Sequence, residues 1–313
     1  MTAPQDSRPL LSVVIPVHDE EDALPELHQR LVQLGEIEGG VEVIYVDDGS
    51  TDGSAQLIES WIEAGDPAVL IALSRNFGME IAMSAGLDQA RGEYVALMHA
   101  DLQDPPELIP QMLAAVREGA DVAYARRIGS DESRMKRALA TGFYRMMERL
   151  ARVPYQGQAG DFRVMSRRVV EDLRRMPERR RFLRGMVAWV GYEQVPIEYR
   201  RADRARGRGS SYPELLRLAL EALTSFSDVP LSLVGYAGAV TSVLRALAAF
   251  VLLVLTIVGT LTASGYIWVL IAVLFLSGIQ LMSVGVLGRY LARVHEEALE
   301  RPLYLVDRVV RPR

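Results

Sequence analysis

Residues 246–288 contain no charged side chain, and Leu, Val, Ile, Ala and Phe dominate them. One bilayer crossing needs about 20 apolar residues, so this stretch is long enough for two. The small and polar residues at 260–265 are typical of a tight turn. The stretch therefore predicts a carboxyl-terminal two-helix transmembrane hairpin, with helices over 233–261 and 266–290. A pair of buried helices in a soluble core is the alternative.

The charges around this hairpin predict its orientation. Several arginines follow the second helix, and an arginine-rich stretch precedes the first. Positive residues beside membrane spans stay in the cytoplasm, so we expect both ends of the hairpin there. Arg245 lies inside the first predicted helix, where its charge must reach the cytoplasmic surface or bind an anion. The first ten residues are polar and have no apolar run typical of a signal peptide.

The composition excludes several classes of protein. The 313 residues include no cysteine, which rules out disulfide scaffolds, zinc–cysteine clusters and thiol nucleophiles. The formal net charge of −5 argues against nucleic-acid binding, because neutralising phosphates requires a basic surface. Neither a Gly-x-Gly-x-x-Gly fingerprint after a strand nor a P-loop occurs, so a dinucleotide oxidoreductase or an NTPase is disfavoured.

The amino-terminal half alternates between short apolar strands and amphipathic helices. Strands are predicted over 11–16, 41–46, 69–73 and 94–98, and a further one at 122–125. This alternation predicts an α/β fold with a mostly parallel sheet covered by helices on both faces. Ligands of such sheets bind beyond the carboxyl ends of the strands.

Two acidic clusters follow strands of this predicted sheet, one at 47–49 and one at Asp101 and Gln103. A single Asp-Asp-Gly is often only a capped turn. Two clusters at equivalent strand ends favour a metal–nucleotide site, because a hard divalent cation takes oxygen ligands from a short loop and from a diphosphate. The hydroxyls of Ser50 and Thr51 suit hydrogen bonding to a base and ribose.

Seven short motifs occur in order along the chain, and together they resemble one family. They are VIPVHDEE (14–21), VDDGSTD (46–52), SRNFG (74–78), ADLQDPPE (100–107), AGDFR (159–163), RFLRG (181–185) and TSFS (224–227). The set resembles the family 2 inverting glycosyltransferases that act on polyprenyl phosphate. The resemblance implies a GT-A type α/β domain, Mg2+ or Mn2+ as cofactor, and transfer of one sugar from a nucleotide-sugar donor to a polyprenyl phosphate acceptor in the membrane.

The resemblance also implies a domain organisation. Residues 1–228 would form a cytoplasmic GT-A domain with juxtamembrane amphipathic helices, 229–290 the transmembrane hairpin, and 291–313 a cytoplasmic basic tail. The expected location is the inner (plasma) membrane, with the catalytic domain in the cytoplasm. Relatives form tetramers, so a homotetramer is one expected assembly, and the strand-like residues 302–306 could add to a neighbour's sheet.

Individual residues take roles from the same resemblance. Asp101 and Gln103 would hold the metal against the diphosphate. Asp161 is where the family has its candidate base or acceptor-positioning carboxylate; a lipid phosphate is already ionised near neutral pH, so both roles remain open. The expected nucleoside-binding residues are Pro16, Glu20, Asp47 and Ser50.

Two positions depart from the family pattern. The family usually has Asp-Ala-Asp where this chain has His99, Ala100 and Asp101. Neutral imidazole ligates Mn2+ but suits Mg2+ poorly, so His99 is a candidate metal ligand. A contact to ribose or pyrophosphate, a slower enzyme, and simple sequence drift are the alternatives. Met79 stands where relatives often carry a basic residue.

Basic residues are the candidates for binding phosphate groups. Arg126, Lys136 and Arg137 are the expected lipid-phosphate ligands, since guanidinium and ammonium groups bind phosphate and the helix after 134 is amphipathic. Ordinary surface charge is the alternative for each. Arg204 and Arg206 lie in a loop that resembles the family's Arg-x-x-Gly-x-Ser-x-Tyr with one extra residue, so either could contact the donor diphosphate. A juxtamembrane linker is the alternative there.

The sequence leaves alternatives open for both the sugar donor and the class of enzyme. Asp47 can pair with uracil or guanine; the two-span hairpin and the tail favour UDP-glucose, while aminoarabinose, N-acetylhexosamine and mannose donors stay open. A processive polysaccharide synthase is disfavoured because the chain lacks a Gln-x-x-Arg-Trp motif and further spans. A catalytically impaired membrane protein is the third possibility, and His99 is its support.

Overall fold

A computed structural model describes residues 9–127, 159–179, 181–199 and 265–312 of the chain. The chain divides into two compact units. The first comprises Met1–Gly209 with Pro302–Arg313, and the second is Ser210–Arg301.

The first unit contains the strands and most of the helices. The strands are β1 (Leu11–Val17), β2 (Val41–Asp47), β3 (Ala68–Leu73), β4 (Tyr94–Leu97), β5 (Val122–Arg127), β6 (Ala159–Ser166), β7 (Gln194–Tyr199) and β8 (Val306–Val310). The helices are α1 (Leu24–Val32), α2 (Ser54–Glu63), α3 (Met79–Gln89), α4 (Ile109–Arg117), α5 (Arg167–Arg175) and α6 (Leu183–Trp189), with 3-10 turns at Gln33–Glu36 and Pro106–Leu108.

Over the described ranges, eight strands form one sheet in the order β7-β5-β6-β4-β1-β2-β3-β8. Four adjacent strands, β4, β1, β2 and β3, are parallel, and β7 is parallel to β5. β6 is antiparallel to both β4 and β5, and β8 is antiparallel to β3. The predicted α/β fold with a mostly parallel sheet is therefore confirmed. The two strands that run against the others are β6, third from one edge, and β8, at the opposite edge.

Helices cover both faces of the sheet, as the continuous apolar strands require. Alternate residues of β1 point to opposite faces, because side chains alternate along a strand. Leu11, Val13 and Ile15 pack in a core with residues of α1, α2 and α4. Val14 lies in the opposite core, with residues of α3, α5 and α6. This double covering leaves the strand ends as the open part of the sheet.

Two segments differ from the sequence-based expectation. β6 was not expected as a strand, because its alternation is broken by Asp161 and by the buried arginine Arg163. The tail strand begins at Val306, later than the expected 302–306, and pairs with β3 of the same chain. The hydroxyl of Tyr304 donates to Asp88 at 2.8 Å, which fixes the approach to β8.

In the second unit, the structure describes one helix, α7 (Gly265–Ala298). The second predicted transmembrane helix, 266–290, lies within it. The first predicted helix and the turn fall outside the described residues. Among the residues that are described, no helix has the length and apolarity needed to cross a membrane.

Candidate functional site

The loop after β2 is fixed by two buried aspartates. Asp47 ends the strand with 5% of its surface exposed, and its carboxylate accepts the Ser50 N–H at 3.2 Å. The Asp48 carboxylate accepts the N–H groups of Phe77 and Gly78, at 2.7 and 2.8 Å, in the loop after β3. Burial raises the pKa of Asp48, and the two N–H bonds offset this only in part. Asp48 thus joins two loops at the carboxyl edge of the sheet.

The same two loops approach each other closely at Gly49. This residue has a φ of +69°, and a Cβ there would lie 2.6 Å from the carbonyl carbon of Arg75 and the nitrogen of Asn76. Only glycine adopts this conformation without strain and leaves room for the second backbone. The Asp-Asp-Gly sequence is therefore a packed turn as well as a candidate nucleotide contact.

The loop after β1 interlocks with the loop after β2. The Asp19 carboxylate accepts the Thr51 N–H at 2.7 Å, and this bond does most to lower the pKa of Asp19. In return the Asp19 N–H donates to Ser50 Oγ at 3.1 Å, and the Glu20 N–H donates to Ser54 Oγ at 3.0 Å. These reciprocal bonds hold both loops in one arrangement.

The four expected nucleoside-binding residues lie at this edge, with different exposures. Pro16 is buried near the end of β1, beyond the pairing with β4, which stops at Val14. Asp47 is buried, whereas Glu20 and Ser50 are partly exposed. The structure thus brings the predicted set together, with Ser50 and Glu20 as its accessible members.

The loop after β4 carries the expected metal ligands. The Asp101 carboxylate accepts the Gln103 N–H at 3.1 Å, and Leu102 between them has a φ of +56°. Burial raises the pKa of Glu20, and the negative charge of Asp101 raises it further. The two carboxylates are therefore close enough to interact electrostatically. The Tyr199 hydroxyl donates to Asp104 at 2.9 Å and holds the loop to the end of β7.

This set of oxygen donors fits a hard divalent cation. Across the described ranges, no three histidine, aspartate or glutamate side chains are arranged to hold a metal. Asp101 and Gln103 could each supply an oxygen ligand to such a cation, and diphosphate and water oxygens could supply the others. That division is typical of Mg2+ bound with a nucleotide.

Asp161, on β6, lies in a cluster of cationic side chains. Its side chain is 14% exposed. Arg184, on α6, donates from Nε to Oδ1 at 3.0 Å and from a terminal nitrogen to Oδ2 at 2.6 Å. Burial would raise the pKa of Asp161, but the hydrogen bond from His99 and the charges of Arg184 and Arg163 hold it far below its usual range. Asp161 is an ionised carboxylate with a fixed orientation.

His99 contacts the same carboxylate. Its Nε2 lies 3.3 Å from Asp161 Oδ2. Burial lowers the pKa of His99, and the hydrogen bond and charge of Asp161 outweigh this, so the pKa is raised above 6.5. His99, which stands where the resembling family has the first aspartate of Asp-Ala-Asp, therefore lies against Asp161.

Two further charged side chains, one of them buried, support this cluster. Arg163 is 2% exposed, and its guanidinium donates to the carbonyl oxygens of Gly160 and Asp161, at 2.8 and 3.2 Å. Glu80 Oε2 accepts the Leu183 N–H at 2.9 Å. Burial raises the pKa of Glu80, and the charge of Asp161 adds to the effect.

Comparison with known proteins identifies the family of this chain. The sequence profile described as Glycosyl transferase family 2 matches residues 12–174. An uncharacterized glycosyltransferase of Synechocystis sp. is 42% identical over 300 residues, which are 95% of this chain and 94% of that protein. The chain belongs to glycosyl transferase family 2. It is a glycosyltransferase.

Two further family 2 relatives carry more specific names. A prophage bactoprenol glucosyl transferase homolog of Escherichia coli is 37% identical over 96% of this chain and 99% of that protein. The bactoprenol glucosyl transferase of Shigella phage SfV is 37% identical over 95% of this chain and 97% of that protein.

The family 2 match contains Asp47, Asp101 and Asp161 but ends before Arg184. Sequence reasoning assigned no role to Arg184 or Glu80. The available signal was their position, since Arg184 lies within the RFLRG motif and Glu80 follows the SRNFG motif closely. The contact of Arg184 with Asp161, and that of Glu80 with α6, can be seen only in the folded chain.

The expected phosphate-binding residues of this family 2 enzyme are mostly outside the described residues, as Lys136, Arg137, Arg204 and Arg206 all are. Arg126 is described: it lies on β5 opposite Glu198 of β7 and forms an ion pair with that carboxylate. To bind a phosphate, Arg126 would have to exchange this partner.

Proposed function

We propose that this glycosyltransferase transfers one glucosyl group from UDP-glucose to polyprenyl phosphate of the undecaprenyl type, with inversion at the anomeric carbon. The observation that carries the proposal is the near full-length similarity to proteins named bactoprenol glucosyl transferase. The donor would lie at the carboxyl edge of the sheet. Asp47 ends β2 and Ser50 follows it, and the acidic loop follows β4, which runs in the same direction as β2.

A divalent cation, Mg2+ or Mn2+, is part of this proposal. Asp101 and Gln103 would hold it, and when bound it would stabilise the leaving nucleoside diphosphate. His99 is a weaker candidate ligand, because its Nε2 already contacts Asp161.

The acceptor chemistry needs little help from a base. A lipid phosphate monoester is ionised near neutral pH and can attack the anomeric carbon itself. The Asp161 carboxylate is bound by Arg184 and His99, and these contacts favour its ionised, oriented form. We therefore assign Asp161 to orienting the acceptor or the sugar rather than to accepting a proton.

We also propose attachment to the cytoplasmic face of the inner (plasma) membrane through a hairpin over 229–290, with 1–228 and 291–313 in the cytoplasm. The uncharged stretch 246–288 supports this proposal. Apolar side chains along α7 are also exposed, among them Val269 at 54% and Val284 at 63%. A homotetramer remains the proposed assembly.

The test uses the full chain purified in detergent with undecaprenyl phosphate, Mn2+ or Mg2+, and radiolabelled UDP- and GDP-sugars. We expect label from UDP-glucose to move into the organic phase, and only when a divalent cation is present. Transfer from a different donor would overturn the glucose assignment. Nucleotide binding without transfer from any donor would overturn the proposed activity and favour a catalytically impaired protein.

A further inference from the structure

The Asp161 carboxylate is held by two side chains from different parts of the chain. Arg184 donates to both oxygens, one from Nε and one from a terminal nitrogen, at 3.0 and 2.6 Å. His99 Nε2 lies 3.3 Å from Oδ2. The three residues belong to α6, β6 and the loop after β4. We call them the Asp161 clamp.

The geometry of the Arg184 contact restricts the carboxylate in two ways. A guanidinium that donates to both oxygens fixes the rotation of the carboxylate plane as well as its position. A lysine would supply a similar charge from a single point and leave that rotation free. Because Asp161 is 14% exposed, water can satisfy little of it, so the orientation depends on these partners.

The helix that carries Arg184 is anchored to α3. This helix begins at Leu183, whose N–H donates to Glu80 Oε2 on α3 at 2.9 Å. Arg163 donates to the carbonyl oxygens of Gly160 and Asp161 and fixes the backbone of β6. The clamp is therefore attached to the core at both the arginine and the aspartate.

We propose that Arg184 is a positioning residue for sugar transfer: it holds the Asp161 carboxylate in the one orientation that the transfer step requires. This inference rests on the proposed function, since it gives Asp161 an orienting role at the transfer site. Arg184 acts through Asp161 and contributes to kcat rather than to nucleotide affinity.

The first test compares Arg184→Ala and Arg184→Lys with wild type in the transfer assay. We expect Arg184→Ala to lower kcat about 100-fold, the cost of a misplaced group, and to leave the donor KM within about twofold. The kcat of Arg184→Lys should lie between those of Arg184→Ala and wild type. Added guanidinium should restore part of the kcat of Arg184→Ala, because it can occupy the vacated position beside Asp161.

Arg168→Ala is the matched control. Arg168 also pairs with a carboxylate, that of Asp121, but on α5 and outside the clamp. We expect it to retain wild-type kcat and to show no response to guanidinium. Wild-type kcat in Arg184→Ala, or a loss of kcat that guanidinium does not restore, would overturn the positioning role.

A second measurement examines the clamp without activity. Melting temperatures of Arg184→Gln, Asp161→Asn and the double variant form a cycle, and we expect the double variant to melt no lower than the worse single variant. Melting-temperature changes that simply add in the double variant would show that Arg184 and Asp161 do not interact, and would overturn the clamp. Absence of transfer by the wild type would instead refute the proposed function, while the melting cycle would still decide whether Arg184 holds Asp161.

Discussion

The Nε2 atom of His99 lies 3.3 Å from Oδ2 of Asp161, which joins the loop after β4 to β6 across 62 positions of sequence. Where the resembling family has an aspartate, this chain therefore has a side chain that can donate a hydrogen bond to a buried carboxylate. An aspartate at position 99 would place two like charges together, which raises the cost of ionising either.

We predict that His99→Asp lowers kcat more than His99→Asn does. Asparagine keeps a neutral hydrogen-bond donor, whereas an aspartate would place a second carboxylate beside Asp161. A repulsion large enough to shift a pKa by one unit corresponds to about 1.4 kcal/mol. The same energy in the transition state would lower kcat about tenfold. The measurement is kcat in the transfer assay, together with Mn2+ binding followed by electron paramagnetic resonance. Higher kcat and tighter Mn2+ binding in His99→Asp than in wild type would show that position 99 serves the metal instead.

Asp101→Ala should reduce transfer at least about 100-fold, because the residue is the proposed carboxylate ligand of the cation that neutralises the diphosphate. Binding of UDP in the presence of Mn2+ should weaken in parallel, as measured by calorimetry. Asp307→Ala is the control, since Asp307 is an exposed carboxylate on β8. Retained turnover in Asp101→Ala would remove Asp101 from the metal site.

Gly49→Ala should destabilise the protein by about 3 kcal/mol, or about 6–12 °C in melting temperature. The cost combines the positive φ with the collision of the new Cβ with the backbone of Arg75 and Asn76. Gly40→Ala is the matched control: its φ is +84°, but a Cβ there meets nothing within 4 Å, so we expect about 1–2 kcal/mol. Equal losses in the two variants would contradict the close approach at Gly49.

The ion pair between Arg30 and Glu107 predicts a small pH dependence. The Arg30 guanidinium donates to both Glu107 oxygens, at 2.8 and 2.7 Å, and this bond lowers the pKa of Glu107 below 4.5. A depressed pKa means that the pair stabilises the fold above the unfolded-state value and ceases to do so as pH falls through the folded-state value.

The corresponding variant is Glu107→Gln. Because Glu107 is 54% exposed, solvent screens the pair, and we expect a loss of only about 0.5 kcal/mol at neutral pH. Urea unfolding at neutral pH, repeated below the folded-state pKa of Glu107, should show this difference disappearing in acid. A difference that persists in acid would exclude the ion pair as its cause.

The central sheet could be predicted from the sequence because its strands are short apolar runs that end in acidic turns. The strand predicted at 11–16 is observed as Leu11–Val17, and that at 41–46 as Val41–Asp47. Both are buried on two faces, so local hydrophobicity alone identifies them. Asp47 and Asp101 follow from the same reasoning, since parallel strands bring their carboxyl ends to one edge.

The Asp161 clamp could not be predicted in this way. Arg184 meets Asp161 only because α6 packs beside β6, and the Leu183 N–H meets Glu80 across 103 positions of sequence. No local periodicity records such contacts, and a buried arginine such as Arg163 breaks the apolar pattern by which a strand is recognised. The nucleotide, metal and lipid-phosphate assignments remain predictions.

The tail strand β8 has a consequence for shortening this protein. β7 and β8 are the two outermost strands of the sheet, so Tyr199 and Val306 lie at opposite edges. Seven strand spacings of about 4.8 Å separate those edges, roughly 34 Å in all. A direct joint from Tyr199 to Pro302 could not retain both edge strands. A minimal water-soluble version needs a bridge of at least about ten extended residues across the sheet.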